Sequence, residues 1–537
     1  MGAATILKLL IALIVSSATA FALRLMRASR RSASLPPGPP TLPLIGNIHQ
    51  IPSAKGFLKF QKWARIYGPV VSLKVGPKDL IILNSASAVR DLFDKRGAIY
   101  SSRPPNYIGT EVITQDNTHL LLMPYGKEWR NQRKLFQELL NIKAVGSLRP
   151  LQAAESTFTL RQLMQSPQDY YDHIRRYSTA VILASVFGIR GSEFHSPYIQ
   201  RLYHVQDQFT AILETGATPP IDVFPFLKYM PAFLAPWRKW AQQIRKEQRE
   251  LYFELLQSVR STKSRGVSHK CFVDMLLEES FQRKYSLDDE HIAYIGGVLM
   301  EGGSDTTASA LLSFLLAMAR NPRVLRKAQA AVDALCGTER SPTFDDMDNL
   351  PYIKHCVTEV LRWRPVAAGG IPHVLTEDDV YGTYHFPKGT TFLANTWAIH
   401  HDPENYEHPE AFMPERFEQH DLGFKSGAAT ISGLNRTYGF GAGRRVCPGS
   451  HLAENSLLIN IAKLVWAFDI TPGADPATGR QLSHQEIDDN VGRAWTNGFL
   501  IAPKPFPLSL SLRSEKHGEV IEREHEEANE TLVKYTD

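Results

Sequence analysis

The chain has 537 residues, of which 43% are hydrophobic, and a formal net charge of +5. Four cysteines without a C-x-x-C pair argue against a disulfide framework and for a reducing compartment, and nothing in the mild charge suggests a protein that reads nucleic-acid grooves. No internal repeat is visible and no linker divides the chain. We therefore expect one large, mainly helical domain.

The N-terminal residues 1–31 are predicted to form a membrane anchor with a basic flank. Leu9–Leu23 is an uncharged run of fifteen residues between Lys8 and Arg24. This run is shorter than the roughly 20 residues of a spanning helix, so its charged ends would have to snorkel. A cleaved secretory signal is the alternative, because residues 18–20 (Ala-Thr-Ala) match the cleavage pattern. The positive residues follow the apolar run, which favours an uncleaved single-pass anchor with the body in the cytosol.

Three further segments complete the organisation of the chain. The proline-rich residues 32–40 are predicted to form a stiff hinge, and residues 41–512 the catalytic domain. Near the start of this domain, Val70–Val75 and Asp79–Leu83 flank a Gly-Pro turn and predict a β-hairpin. Residues 513–537 are charged and lack apolar periodicity, so we expect a disordered tail.

A long helix is predicted from about Leu287 to Arg320, with Ser286 and Asp289 as a possible capping box. It is apolar on nearly all sides and should therefore cross the core. Four glycines interrupt it, at Gly296, Gly297, Gly302 and Gly303. Each costs about 1 kcal/mol relative to alanine in a helix interior. A flat cofactor approaching the helix backbone would explain these glycines, and close packing on a neighbouring helix is the alternative.

A polar group at residues 304–307 follows these glycines. Asp305 and Thr306 are an acid and an alcohol, which are side chains suited to delivering protons and holding water. The alternative is that the hydroxyl of Thr306 only bonds back to the preceding helical turn.

The segment Phe440–Gly449 surrounds one cysteine, Cys447, with features that favour a thiolate metal ligand. Glycines allow a tight loop close to the sulfur, two arginines add positive charge, and Pro448 suits the first turn of a helix. These glycines and arginines are Gly441, Gly443, Arg444 and Arg445. A single soft ligand fits iron held axially in a haem, whereas zinc would need three or four clustered ligands. The alternative is a buried, inert cysteine in a glycine turn.

Several short motifs occur in one order along the chain. They are WRNQR (129–133), GGSDTT (302–307), EVLR (359–362), PERF (414–417) and the cysteine loop. Each is weak alone, but the ordered set closely resembles the cytochrome P-450 superfamily. The resemblance covers roughly residues 36–510 and is to its microsomal, membrane-anchored type, among the fungal enzymes of secondary metabolism.

The resemblance implies a mainly α fold with a smaller β region, an α+β class with haem b between the central helix and the cysteine loop. It makes Cys447 the axial iron ligand. It also implies that Glu359 and Arg362 are buried with Arg416 as a structural unit. The haem-propionate partners that it implies are Trp129, Arg133, His373 and Arg445.

The implied activity is that of a monooxygenase, which inserts one oxygen atom of O2 into a lipophilic small molecule. In this family Asp305 and Thr306 correspond to the residues that deliver protons during oxygen activation. Two alternatives stay open. One is a haem-thiolate enzyme that catalyses rearrangement or dehydration, and the other is a membrane haem protein that only carries electrons.

The resemblance also implies partners and a location. Electrons would come from NADPH through an NADPH-cytochrome P-450 reductase, with cytochrome b5 as a further candidate donor. Lys127, Arg130 and Lys134 could dock an acidic reductase, although a solvated charged face is their ordinary explanation. The other expected partners are membrane lipid of the endoplasmic reticulum and a lipophilic substrate such as a terpenoid or polyketide; no nucleic acid is expected. The side chains expected around the substrate include Tyr107, Ile108, Val112, Ile371 and Phe499.

Overall fold

The computed structural model describes residues 3–115, 118–214, 216–428 and 432–535. Residues 1–2 of the predicted anchor and 536–537 of the predicted tail lie outside the described residues. The helices of the first half are α1 (Ala3–Ala28), α2 (Gly56–Tyr67), α3 (Ala86–Val89), α4 (Gly97–Tyr100), α5 (Lys127–Leu140), α6 (Ile142–Gly146), α7 (Arg149–Gln165), α8 (Tyr170–Phe187), α9 (Pro197–Leu213) and α10 (Pro236–Ser264).

The second half is also mainly helical. Its helices are α11 (Phe272–Leu276), α12 (Glu279–Tyr285), α13 (Asp289–Ser304), α14 (Thr306–Arg320), α15 (Pro322–Cys336), α16 (Pro351–Trp363), α17 (Thr396–His400), α18 (Arg416–Gln419), α19 (Ser450–Ala467), α20 (Val491–Ala494) and α21 (Glu515–Leu532). The mainly α architecture with a smaller β region is therefore confirmed.

The strands form small sheets at the edge of the helical body. They are β1 (Val70–Val75), β2 (Lys78–Leu83), β3 (His373–Val374), β4 (Asp379–Tyr381), β5 (Tyr384–Phe386), β6 (Thr391–Ala394), β7 (Phe468–Pro472) and β8 (Leu508–Leu512). The largest sheet has the order β1-β2-β6-β3. Its β1–β2 pair is the predicted hairpin, which closes with Val75 opposite Lys78. The predicted hinge packs on this sheet, because the backbone N–H of Ser72 in β1 donates to the carbonyl of Pro37 at 3.0 Å.

The predicted central helix crosses the core, as expected. Every residue of α14 from Thr307 to Ala319 is buried, and this helix packs against α8 and α19. The helix is nevertheless divided, since α13 ends at Ser304 and α14 begins at Thr306. The predicted cap is wrong: the side chain of Asp288 accepts the backbone N–H of His291. Ser286 instead ends the preceding helix α12 with a left-handed backbone, at a φ of 55°.

The predicted single-pass anchor at the N-terminus is wrong. Although α1 has 26 residues, no helix in the described part of the chain is both long enough and apolar enough to cross a membrane. The physical reason is the spacing of charges, because Lys8 and Arg24 confine the apolar run to fifteen residues where about 20 are needed. The inferred location in the endoplasmic reticulum membrane, and membrane lipid as a partner of the anchor, lose their support.

The predicted disorder of the C-terminal tail is also wrong. Residues Glu515–Leu532 form α21, which packs along α7. One face of α21 is buried through side chains spaced about four residues apart, including His517, Ile521 and His525. Two of these buried positions are histidines, so the periodicity of this face is hidden from a count of apolar residues.

Candidate active site

The cysteine loop is held in shape by two glycines, as predicted. Gly441 and Gly443 have φ angles of 79° and 64°, a region in which glycine carries no steric penalty. The backbone N–H of Gly443 donates to Oδ1 of Asp94 at 2.6 Å. A Cβ atom added to Gly443 would lie 2.3 Å from the carbonyl oxygen of Phe93. The loop closes with the N–H of Cys447 donating to the carbonyl of Phe440 at 2.8 Å.

The protein surroundings of the Cys447 thiol disfavour its thiolate form. Burial raises its pKa, and a backbone N–H from Gly449 and the charge of Arg133 only partly oppose this effect. The expected helix start is displaced as well, because α19 begins at Ser450, two residues after Pro448. Binding to a metal ion releases the proton of a cysteine ligand, so ionisation of this thiol would accompany iron binding.

Three arginines meet near this loop, and each is anchored on backbone carbonyl groups. Arg445 donates to the carbonyls of Ser101 at 2.8 Å, Leu120 at 3.1 Å and Met123 at 2.7 Å. Arg133 donates to the carbonyl of Val446 at 2.6 Å.

The third member, Arg103, was missed by the sequence analysis. It donates to the carbonyls of Leu121 at 2.9 Å and Pro372 at 2.6 Å. It lies in the stretch Ser-Ser-Arg-Pro-Pro, which has no periodicity or spacing that distinguishes this arginine from a surface residue. We call Arg103, Arg133 and Arg445 the arginine cluster.

The arginine cluster lacks a counter-charge. No ion pair joins its members to a carboxylate within the part of the chain that the structure describes. Burial lowers the pKa of Arg103 to about 9, and burial together with the charges of Arg103 and Arg133 lowers the pKa of Arg445 to about 8. The Arg445 guanidinium lies 4.3 Å from the Trp129 ring centre, and Nε1 of Trp129 is buried without a partner among the described residues. Buried and partly buried cations beside an unpartnered N–H fit a dianion such as the two propionates of haem.

His373 lies beside this cluster but is less well prepared to donate to an anion. Its Nδ1 contacts the carbonyl of Tyr100 at 2.8 Å, and its ring stacks on Phe93 at 4.1 Å. Burial, followed by the charges of Arg103 and Arg445, lowers the pKa of His373 well below its usual range. A neutral imidazole that donates from Nδ1 has no proton on Nε2. A hydrogen bond from His373 to a propionate would therefore need a second proton or another tautomer.

Thr306 sits at the break between α13 and α14. Its Oγ1 donates to the carbonyl of Gly302 at 2.8 Å, which is the bond to the preceding turn that the sequence analysis gave as the alternative. Gly302 itself is exposed, and a Cβ atom added there would meet nothing within 4 Å. The open side of the central helix is therefore at Gly302 and Thr306.

The other helix glycines have a different explanation from the one expected. A Cβ atom at Gly297 would lie 2.3 Å from the Tyr252 ring, and the matching distance from Gly303 to Ile182 is 2.7 Å. At Gly296 the nearest atom would be a ring carbon of Phe187, again at 2.7 Å. These three glycines allow close helix packing, and only Gly302 is left for the approach of a flat cofactor.

Asp305 points toward α8 rather than toward Thr306. Its Oδ1 lies 3.5 Å from Nε of Arg175, and the side chain of Asp305 is 28% exposed. Burial raises the pKa of Asp305, and the charge of Arg175 opposes this effect. The carboxyl group is thus tethered to an arginine at the helix break, while its proton affinity is raised.

The residues of EVLR and PERF form the buried unit that the resemblance implied. Arg362 donates to both oxygens of Glu359, at 2.7 and 2.8 Å, and Arg416 donates to Oε1 at 3.2 Å. Arg362 also donates to the carbonyl of Pro409 at 2.8 Å. Since this carbonyl belongs to the segment before the cysteine loop, the unit fixes the course of the chain toward Cys447.

One cysteine at a glycine loop, facing arginines without a counter-anion, defines a haem-thiolate type of site. The sequence model of the family Cytochrome P450 matches residues 36–484. The chain therefore belongs to the cytochrome P450 family, and it is a monooxygenase of the haem-thiolate class.

The most similar proteins that we compared are fungal. Cytochrome P450 monooxygenase yanC of Aspergillus niger is 39% identical over 519 residues, which cover 94% of this chain and 95% of that protein. Cytochrome P450 monooxygenase acuD of Aspergillus aculeatus is 38% identical, over 95% of this chain and 94% of that protein. Cytochrome P450 monooxygenase macC of Penicillium terrestre is 37% identical, over 97% of this chain and 98% of that protein.

Proposed function

We propose that this monooxygenase inserts one oxygen atom into a lipophilic secondary metabolite, such as a terpenoid or a polyketide, with electrons from NADPH through a reductase. The observation that carries the proposal is the arginine cluster, whose buried and partly buried charges lack a counter-anion beside Cys447. Haem b supplies both the anion and the iron. When bound, it provides the site at which O2 is activated.

The residues that hold the haem follow from the same geometry. Cys447 would ligate the haem iron as a thiolate, and Arg103, Arg133 and Arg445 would hold the propionates by charge-assisted hydrogen bonds. Trp129 adds its free Nε1–H. His373 lies beside the same site, with its ring stacked on Phe93. It would donate a hydrogen bond to a propionate only when its Nε2 carries a proton.

Thr306 on the open side of the central helix and Asp305 on the side that faces α8 handle protons. Because Thr306 gives its hydroxyl proton to the carbonyl of Gly302, the lone pairs of its Oγ1 are free to accept a hydrogen bond from water. Asp305 can take a proton from solvent, since it is partly exposed and burial raises its pKa. Arg175 restrains the Asp305 side chain between transfers.

The exposed surface of α5 suits the proposed redox partner, and an apolar cluster in the interior suits the proposed substrate. Lys127, Arg130 and Lys134 are exposed on α5, where an acidic reductase or cytochrome b5 can dock. Ile108 is buried in a cluster with side chains of α9 and α10, and Tyr107 and Val112 pack against it. This apolar cluster favours a lipophilic substrate.

The two alternatives make different demands on the site. A rearranging or dehydrating enzyme does not need the acid and alcohol at Asp305 and Thr306. An electron carrier would use a second strong iron ligand, and residues 302–307, all of which are described, contain neither histidine nor methionine.

The test is spectroscopic and uses the haem-loaded full chain. We expect the reduced carbon monoxide complex to show the long-wavelength Soret band of a thiolate ligand, and Cys447→Ala to lose it. Cys336→Ala is the matched control, because Cys336 is buried at the end of α15. NADPH oxidation and O2 uptake with a reductase should rise when a lipophilic substrate is added. A band that survives in Cys447→Ala, or absence of O2 uptake with every substrate, would contradict the proposal.

A further inference from the structure

A buried polar cluster lies next to the proposed active site and is not used by the proposed chemistry. Its centre is Glu301 in α13. Nε2 of His119 lies 3.0 Å from Oε2 of Glu301, and Nε2 of Gln248 donates to Oε1 at 3.0 Å. The hydroxyl of Tyr252 donates to the same Oε1. One carboxyl group therefore orients side chains from a loop and from α10.

The cluster is joined directly to both halves of the active site. Glu301 immediately precedes Gly302, whose carbonyl accepts the hydroxyl of Thr306. His119 immediately precedes Leu120, whose carbonyl accepts a hydrogen bond from Arg445. The polar cluster is thus connected through the chain both to the open side of the central helix and to the arginine cluster.

Two hydrogen-bond acceptors in the polar cluster have no partner. They are Nδ1 of His119 and Oε1 of Gln248, both buried and unpaired among the described residues. The His119 side chain is 3% exposed and Gln248 is fully buried. In a neutral imidazole, a donating Nε2–H leaves a lone pair on Nδ1 of His119, and the donating amide nitrogen of Gln248 leaves its amide oxygen free as an acceptor.

The His119 ring also borders an apolar region. The ring of His119 lies 5.4 Å from that of Phe209 on α9, and Phe209 belongs to the cluster with Ile108 and Trp237. A ligand that pairs with these acceptors and also packs on the apolar side chains must be lipophilic and must carry a hydrogen-bond donor. A hydroxyl group on an apolar skeleton has both properties.

We propose that His119 and Gln248, oriented by Glu301, accept a hydrogen bond from a hydroxyl group of the substrate and thereby determine substrate specificity. This inference rests on the proposed function and names its substrate class, a hydroxylated lipophilic molecule. Sites built to hydrogen-bond a substrate hydroxyl discriminate strongly against analogues that lack it, because the buried polar groups of the site are then left unpaired. His119 and Gln248 act by positioning the substrate, and Glu301 positions them.

The test compares three ligands of similar shape on the haem-loaded full chain. The probes are 2-naphthol, which carries a donor, 2-methoxynaphthalene, which has the oxygen without the donor, and naphthalene. The dissociation constant of each is measured from the Soret shift on titration. The variants are His119→Phe and Gln248→Met, which keep side-chain volume. Gln329→Met is the matched control, because Gln329 is a buried glutamine in α15 that donates to the carbonyl of Phe468.

We expect the unmodified protein and Gln329→Met to bind 2-naphthol roughly tenfold more tightly than the other two probes, as the one hydrogen bond that its hydroxyl can donate allows. His119→Phe and Gln248→Met should lose most of this preference and keep their affinity for naphthalene. Equal affinity for the three probes in the unmodified protein would overturn the inference, as would a preference that survives in both variants. The carbon monoxide spectrum is recorded on the same samples. A normal thiolate band without the preference refutes this inference alone, whereas loss of the band refutes the proposed function.

Discussion

Two alanine substitutions in one helix should have opposite effects on stability. Gly297 and Gly302 lie five residues apart in α13, and both would gain about 1 kcal/mol from the higher helix propensity of alanine. At Gly302 the new Cβ atom meets nothing within 4 Å. At Gly297 it would lie 2.3 Å from the ring of Tyr252, which is fully buried and whose hydroxyl donates to Glu301.

The size of the difference follows from these contacts. Overpacking of a buried ring costs about 1–3 kcal/mol, and displacing the Tyr252 hydroxyl from Glu301 costs roughly 1–3 kcal/mol more. After the gain in helix propensity, we expect Gly297→Ala to lower the free energy of unfolding by about 1–5 kcal/mol and Gly302→Ala to leave it unchanged or raise it by about 1 kcal/mol.

The assay is guanidinium unfolding followed by far-UV circular dichroism, together with the Soret spectrum of each loaded variant. Only Gly302→Ala should alter the Soret spectrum, since the cofactor is expected at its open side. Equal destabilisation by the two substitutions would show that Gly302 is packed like the other glycines. That result would remove the argument that this face of the helix borders the haem.

Two further predictions concern single side chains of the site. Trp129→Phe keeps an aromatic ring but removes the unpartnered N–H. Because a hydrogen bond to a charged group is worth about 1.5–3 kcal/mol, this variant should transfer its haem to apomyoglobin about tenfold faster or more than the unmodified protein. Trp63→Phe in α2 is the control, and equal transfer rates in the two variants would contradict the role of Trp129. Thr306→Ala should retain haem but produce more hydrogen peroxide for each NADPH oxidised, whereas the buried neighbour Thr307→Ala should not. Unchanged coupling in Thr306→Ala would remove this hydroxyl from proton delivery.

The cysteine loop could be predicted from the sequence because its chemistry is local. Gly441, Gly443, Arg445 and Cys447 lie within seven residues, and the demands of a tight turn near a sulfur are readable at that range. The same local reasoning predicted the hairpin. The charge state of Cys447 could not be predicted in this way, because burial depends on the whole fold and its effect on the pKa exceeds that of the nearby positive groups.

Features that depend on distant partners were predicted poorly. The glycines at 296, 297 and 303 look alike in the sequence to Gly302, and only the positions of α8 and α10 separate them. Asp288 replaces Ser286 as the cap because the end of α12 takes Ser286 into a left-handed conformation. The order of α21 depends on its packing against α7, for which a sequence of alternating charges gives no signal.

The buried arginines show most clearly what sequence reasoning lacks. Taking an ion out of water costs several kcal/mol unless a counter-charge accompanies it. Glu359 and Glu155 each provide that charge for two arginines inside the protein, and these arginines therefore stabilise the fold whether or not a cofactor is present. Arg103 is buried and Arg133 and Arg445 are partly buried, yet none of them has such a carboxylate among the described residues, so an anion from outside the chain would stabilise their charges. An arginine within a motif can be paired with a carboxylate of the chain or can lack such a partner. The two cases are distinguished by the position of the counter-charge, and that position is set only when the chain folds.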